Sequence, residues 1–504
     1  MLIDSGTVLG LLKSRLTDAL LAASLGSAES TRSGSPAKRY SVGAVQCLPW
    51  ITDLEADEVL PDLAMEVVDA RRREDAFDET ARLFNSPSVM ADILGGLSIT
   101  EAVISQTKVD GDCHLHILEI TKMMEQRLHD LAGLDAEAEA YLDSEVGPHP
   151  ASYPPGPLSE EELARFLRIP IRDVISELIA RRGGSRAIAN LTFFADRRLE
   201  VLAHGLERPP SQIESFRREA AILPSGDQTA AAQDVVSYLV GASVGRWDIR
   251  RADIKEAPLG DAFDPIPLHP PGMLLHDDLP ARSTPPGYDL DIPPGQLLFD
   301  QPGHPWDIVE RIQTVAALLV GDADRLSTDV MQHLKGKGLR DHLRKHFFKV
   351  HLRRYTKSRR KAPIYWPLYV PSGAWGVWVY APSLRRETLY AIEAAATARL
   401  NAAEIEISRL RRDQQGGGGG RSPRHLVAVL DAEQRLTEEL RVFRNEAERI
   451  AQLGWSPDLD DGVVLCAAPL ADLFPAWKEA AKERANIKAG RYPWASVTNW
   501  ADEL

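Results

Sequence analysis

The stretch Leu389-Tyr-Ala-Ile-Glu-Ala-Ala-Ala-Thr-Ala-Arg-Leu400-Asn-Ala-Ala-Glu-Ile-Glu-Ile-Ser-Arg-Leu410 sets the fold class. Apolar side chains recur at Leu389, Ile392, Ala396, Leu400, Ala403, Ile407 and Leu410, in steps of three and four that place them on one face of an α-helix. A second seam follows at Leu436, Leu440, Phe443, Ala447 and Ile450, with the glycine tract Gly416–Gly420 between the two. Neither long helix can bury its stripe alone, so the seams are expected to close on each other as an antiparallel coiled-coil hairpin over residues 384–455. The tract is a hinge loop and no phosphate cradle, because no Gly-Lys-Ser/Thr follows it.

Upstream of the seams the pattern changes to period two. Ala362-Pro-Ile-Tyr-Trp-Pro-Leu-Tyr369 and Ala374-Trp-Gly-Val-Trp-Val-Tyr380 flank the turn Pro371-Ser-Gly373 and read as an aromatic β-hairpin. Trp366, Trp375 and Trp378 read first as its packed face. Just before the hairpin, residues 335–361 hold Lys335, Lys337, Arg340, Arg344, Lys345, Lys349, Arg353, Arg354, Lys357, Arg359, Arg360 and Lys361 against a single acid, Asp341. The whole chain has 59 Lys and Arg against 73 Asp and Glu and a net charge of -14, which argues against a general polyanion binder. An acidic protein that gathers so much positive charge in one segment has a specific use for it, and a phosphate backbone is the commonest. The twelve cations, with Tyr365 and Trp366 beside them, are therefore the candidate DNA-binding residues.

At 504 residues the chain needs several structural units. The expected class is α+β, predominantly α-helical. Residues 1–53 combine a helix with a strand or turn (Arg39 to Trp50); 54–146 form a charged helical region; 147–158 a Pro-rich linker. Residues 159–245 are helical, opened by the capping box Ser159 and Glu162 and including a helix near Asp234 to Val244. Residues 246–305 are a Pro/Gly-rich stretch expected to wrap a surface rather than build a core. The basic segment and hairpin occupy 306–383, and 456–504 cap the C-terminal end.

Other tempting clusters read as structural. Asp110-Gly-Asp-Cys-His-Leu-His116 spaces ligand types at alternate positions with no further partners signalled, and is read as a strand exposing polar residues. Asp458, Asp460 and Asp461 before Gly462 lack the closing Glu of a calcium loop and are read as a turn. His269 and His276 have no nucleophile to pair with. Cys47, Cys113 and Cys466 lie far apart, without a CxxC pair, which fits a reducing compartment. With no secretory leader and no long uncharged apolar run, a cytoplasmic location is expected.

Several strings then become familiar together: Tyr355-Thr-Lys-Ser-Arg-Arg-Lys-Ala-Pro-Ile-Tyr-Trp-Pro-Leu368, Pro371-Ser-Gly373 and Leu389-Tyr390, with Tyr238-Leu-Val-Gly-Ala-Ser-Val-Gly-Arg-Trp-Asp248 and Pro270-Pro-Gly-Met273 upstream and Leu459-Asp-Asp-Gly-Val463 downstream. In this order they resemble the C-terminal half of the large adenine-specific DNA methyltransferases of BREX and DISARM phage-defence systems, related to Eco57I-type restriction-modification enzymes. Gly10-Leu-Leu-Lys-Ser-Arg-Leu16 and Tyr40-Ser-Val-Gly43 resemble the end of that family's target-recognition module, which makes residues 1–53 a truncated target-recognition element followed by a helical spacer.

The resemblance implies a catalytic half elsewhere, with S-adenosylmethionine on a Rossmann-like fold and an Asn-Pro-Pro-Tyr/Phe motif holding a flipped adenine. No Pro-Pro pair of this chain has an Asn, Asp or Ser before it or an aromatic after it, and no strand-Gly-x-Gly turn occurs. The expectation is a chain with no catalytic residues, no metal and no cofactor of its own, which recognises target DNA while an upstream methylase chain supplies S-adenosylmethionine. Its partners would be double-stranded DNA, that methylase and other defence-system proteins, without a membrane. A split enzyme or a broken reading frame would each explain the abrupt start. The competing expectations are a degenerate fragment or structural adaptor, and a nuclease with an unrecognised active site.

Overall fold

The computed structural model describes residues 5–25, 48–146, 149, 151, 227–254, 264–357, 360–415 and 423–504. The chain is predominantly helical with a few small antiparallel sheets, an α+β architecture. It divides into two compact units that interleave along the sequence: residues 1–74, 104–227 and 258–265 form one, and 75–103, 228–257 and 266–504 the other. Residues 75–103, inside the stretch read as one charged helical region, thus belong to the second unit. Arg39 to Cys47, the Ser159 capping box, the helices expected up to 226 and the polyglycine loop lie outside the described residues.

The first unit contains α1 (Ser5–Leu12), α2 (Arg15–Leu25), α3 (Val59–Asp75), α4 (Ile99–Ala132, from Ile104 onward) and α5 (Ala136–Val146). Leu11, Leu54, Leu60, Leu63, Ile120, Met124 and Leu128 make its small core. Ion pairs tie its helices: Arg15 to Glu125 (2.9 Å) and Asp143 (2.7 Å), and Arg127 to buried Asp57, which also accepts the backbone N–H of Leu60 at 2.8 Å. The segment 110–116 is a correction: it is the middle of helix α4, not a strand. Among the described residues no group of His, Cys, Asp and Glu is placed to hold a metal there, and His116 pairs with Glu66 at 2.8 Å.

The second unit is organised by a three-stranded antiparallel sheet. The expected hairpin forms as β2 (Tyr365–Tyr369) and β3 (Gly376–Tyr380), with Tyr365 opposite Tyr380, and β1 (Leu297–Phe299) adds to the far edge of β3. Every residue of β2 and β3 is buried because each face meets a different core. Tyr365, Tyr369, Trp378 and Tyr380 point into one apolar cluster, Trp366, Leu368, Val377 and Val379 into another. Pro367 is tolerated because β2 is an edge strand. Gly376 is obligatory, since a Cβ there would lie 2.4 Å from the Tyr369 ring.

On the first face packs α6 (Gln228–Ser243), buried along most of its length, together with α7 (Ile308–Val320) and α8 (Ala323–His333). On the second face packs a helical hairpin, α9 (Arg386–Gln415) and α10 (Pro423–Gln452). The two run antiparallel: Arg386 donates to the carbonyl of Ala451, and Arg399 pairs with Glu433. Both expected seams are buried, and Phe443 meets Trp375 edge-on at 5.2 Å. Phe474 and Trp477 of the C-terminal segment close this core against Trp366.

The Pro/Gly-rich stretch departs from expectation. It supplies core residues, among them Trp247, Leu274, Tyr288, Leu290 and Ile292, and β1 itself. These side chains insert singly between prolines and glycines, so no periodicity announces their burial. No helix among the described residues is long and apolar enough to cross a membrane.

Candidate nucleic-acid interface

The basic segment is one helical rod with a widened middle: Leu339–His342 is α-helical, Leu343–Phe347 a π-helix and Phe348–Arg354 α-helical again. Gly336, at φ 124, admits the turn before it; a Cβ there would sit 2.9 Å from the backbone nitrogen of His342. Within the rod, adjacent Phe347 and Phe348 are both buried, one in each apolar cluster. A wide π turn next to a functional segment is a recurrent arrangement.

The rod sorts its cations into two sets. Arg340 donates to Asp300 (2.5 Å) and in bidentate fashion to Asp307 (2.8 and 2.8 Å), and Arg344 also pairs with Asp300. Both carboxylates are essentially inaccessible to solvent, and Asp300 accepts a further bond from Tyr369 at 2.9 Å. Burial pushes the Asp307 carboxyl up, but the hydrogen-bonded Arg340 guanidinium and the backbone N–H of Glu310 outweigh it and hold it below the usual carboxylate range.

Arg354 pairs with Asp234 and, at 2.8 Å, with Glu79. Glu79 is the centre of a second buried network, bonded by Ser237 (2.6 Å), Arg246 (3.0 Å) and Tyr355 (3.0 Å). Burial opposes its ionisation, yet Arg246 and Arg354 keep it a carboxylate. His351, beside it, accepts the backbone N–H groups of Ile364 and Tyr365 on Nε2 (3.0 and 3.1 Å), so its proton resides on Nδ1. Burial drives its pKa down to about 3.

The outward set is different. Lys335, Lys337, Lys349, Arg353, Lys357 and Arg360 are exposed, and among the described residues none has a carboxylate within ion-pair distance. Lys345 is exposed too and holds Asp341, while Lys361 holds Glu479. Lys345, Lys349 and Arg353 recur every fourth residue, roughly 6 Å apart along the rod axis. Arg359 lies outside the described residues. Tyr365 and Trp366 are buried: the Tyr365 hydroxyl accepts from Arg246 at 3.1 Å, and Trp366 Nε1 donates to the carbonyl of Pro363 at 2.8 Å. Their rings are core, not a stacking platform.

Asp300, Asp307, Glu79 and Arg246 went unnoticed in sequence. Asp307 carried a readable signal, an N-cap three residues before Glu310 at the head of an apolar helix; its side chain accepts from the N–H groups of Val309 and Glu310. The other three show their roles only through long-range contacts.

No protein-family model matches this chain, and no curated protein sequence matches it. The chemistry of the surface follows from its own groups. Beside the rod, α7, α8 and residues 337–341 enclose an open groove of about 780 Å³, lined in part by Gln313, Ser327, Thr328, Met331, Gln332 and Lys337. It joins uncharged donors and acceptors, and the carboxylates of Asp324 and Asp341, to the head of the cationic row.

Proposed function

We propose that this chain binds duplex DNA and acts as the DNA-holding, non-catalytic part of a site-specific N6-adenine DNA methyltransferase of a phage-defence system, with a separate methylase chain contributing S-adenosylmethionine and the adenine pocket. The observation that carries the DNA-binding part is the outward set: exposed Lys335, Lys337, Lys349, Arg353, Lys357 and Arg360 without carboxylate partners among the described residues, with Lys349 and Arg353 on the helical rod, in a protein whose net charge is -14. Like charges so spaced repel one another, and a polyanion that displaces their counterions is the partner they fit. The methylation context rests on the sequence resemblance alone, and the assignment of catalysis to a separate chain on the lack of an Asn-Pro-Pro-aromatic motif in this sequence.

Fluorescence anisotropy with a labelled 30-base-pair duplex tests the binding. The combined variant Lys349→Ala/Arg353→Ala/Lys357→Ala should weaken affinity and reduce the slope of log K against log salt by roughly 0.9 for every phosphate that the variant no longer neutralises. An unchanged slope overturns the assignment. A labelled S-adenosylmethionine assay tests the division of labour: the chain alone should transfer no methyl group to DNA, and transfer by it would refute a separate catalytic partner.

A further inference from the structure

We infer that α8 is a base-reading helix that lies in the DNA major groove, with Thr328 and Gln332 as its specificity-determining residues. The inference rests on the DNA-binding reading and adds to it the element that reads sequence. Helices α7 and α8 are joined by Gly321 and Asp322 alone; Gly321 adopts φ 76 at the end of the first helix, and the Asp322 side chain caps the second by accepting the N–H of Arg325 at 2.9 Å. The second helix of such a pair is free to project one face.

Three faces of α8 have distinct duties. Leu326 and Val330 are buried in the core. A flank is locked to a neighbouring segment: Asp329 accepts the N–H of Ile99 at 2.7 Å, Arg325 donates to the carbonyl of Gly96 at 3.0 Å, and His333 lies 3.4 Å from the Thr100 hydroxyl. Asp324, Ser327, Thr328, Met331 and Gln332 follow one another at helical spacing and line the groove; Asp324, Thr328 and Gln332 are exposed, while half-buried Met331 also packs against the core. A helix held on two sides presents its third with the rigidity that recognition needs.

The exposed face has the chemistry of base edges rather than of phosphates. Gln332 can pair bidentately with adenine, Thr328 can bond any base or contact a thymine methyl, and Asp324 can accept from a cytosine amino group. The phosphate-binding groups sit just past the helix: Lys335 and Lys337, exposed and without carboxylate partners among the described residues. Asp324 at the opposite end repels phosphate, so the DNA backbone is drawn to the Lys335 and Lys337 end of the helix. An eleven-residue helix about 16 Å long fits a major groove about 12 Å wide.

Selection from a randomised 30-base-pair duplex pool by the full chain tests this. The wild type should enrich a motif, and Thr328→Ala/Gln332→Ala should flatten it at adjacent positions, lowering the preference for the enriched duplex over a scrambled one about tenfold. Both side chains are solvent-facing, so thermal unfolding should be unmoved, as should the salt slope and the affinity for scrambled DNA. Lys349→Ala/Arg353→Ala should weaken both duplexes equally. If the wild type enriches no motif, or the α8 variant keeps the wild-type preference, the inference is overturned while DNA binding stands. Absence of binding to any duplex overturns the proposed function, and this inference with it.

Discussion

Within one basic segment, Arg340, Arg344 and Arg354 turn inward from the helical rod to Asp300, Asp307, Glu79 and Asp234, whereas Lys345, Lys349 and Arg353 of the rod, and Lys335, Lys337 and Lys357 flanking it, face solvent. The inward set is all arginine and the outward set mostly lysine. A planar guanidinium forks onto two oxygens and sheds water easily, so it suits a buried carboxylate; a strongly hydrated ammonium on a flexible stem suits a mobile counterion atmosphere. Charge alone therefore does not mark a binding surface. Part of the positive run is internal glue that joins α7, the sheet and the rod, and the part left over is the candidate interface.

The largest effect expected from this division is at Arg340. Arg340→Ala leaves Asp307, and one oxygen of Asp300, buried without a cation, and should cost about 3–5 kcal/mol, read as a lowered denaturation midpoint. A loss below about 1 kcal/mol would show that the inward arginines are as dispensable as surface lysines, and the comparison would collapse.

How much of this could be read in the sequence differs by element. Both helical-hairpin seams were legible residue by residue, from Leu389 to Ile450, because a local period reports a local face. The hairpin of Tyr365 and Tyr380 was legible for the same reason, but β1 was not: Leu297-Leu-Phe299 is too short to show alternation. The basic segment stood out by composition. Its inward and outward members did not separate, because that depends on Glu79, distant in sequence, and on a π turn that shifts the helical phase. The aromatic pair Tyr365 and Trp366 misled for a related reason, since an alternating strand with both faces covered gives no polar side to recognise.

A second test uses acidity. His351 belongs to the inward side, with a folded pKa of about 3 against about 6.5 in the unfolded chain. Below 6.5 the unfolded chain takes up a proton that the folded chain refuses, so stability is fully present at neutral pH and is lost as pH falls from 6.5 toward 3. Between pH 7 and pH 5 this one group should remove about 2 kcal/mol. Urea midpoints for the wild type and His351→Gln should converge as pH falls; parallel curves would mean that the ring is reached by water.

Arg340→Lys sharpens the chemical half of the comparison. The charge stays, but an ammonium cannot reproduce the fork onto Asp307 together with the bond to Asp300, and the loss of a charge-assisted hydrogen bond should cost roughly 1.5 kcal/mol, clearly less than Ala. A denaturation midpoint for Arg340→Lys equal to that of the wild type would reduce the arginine preference of the inward set to coincidence.

The smallest effect on stability is expected from the outward side, where it is the most informative. Lys349 and Arg353 are exposed, and among the described residues neither has a carboxylate to lose. Their removal relieves repulsion with Lys345 and its neighbours, a term of a few tenths of a kcal/mol at moderate salt, and forfeits only modest packing of the aliphatic stems. The two contributions oppose each other, so Lys349→Ala/Arg353→Ala should unfold within about 0.5 kcal/mol of the wild type. Low ionic strength should move the balance toward the variant, because repulsion among the cations is screened less. A destabilisation above about 1 kcal/mol would place these side chains in the structural set with Arg340. Neutral stability joined to weakened DNA binding is the combination that only a surface kept for a polyanion predicts.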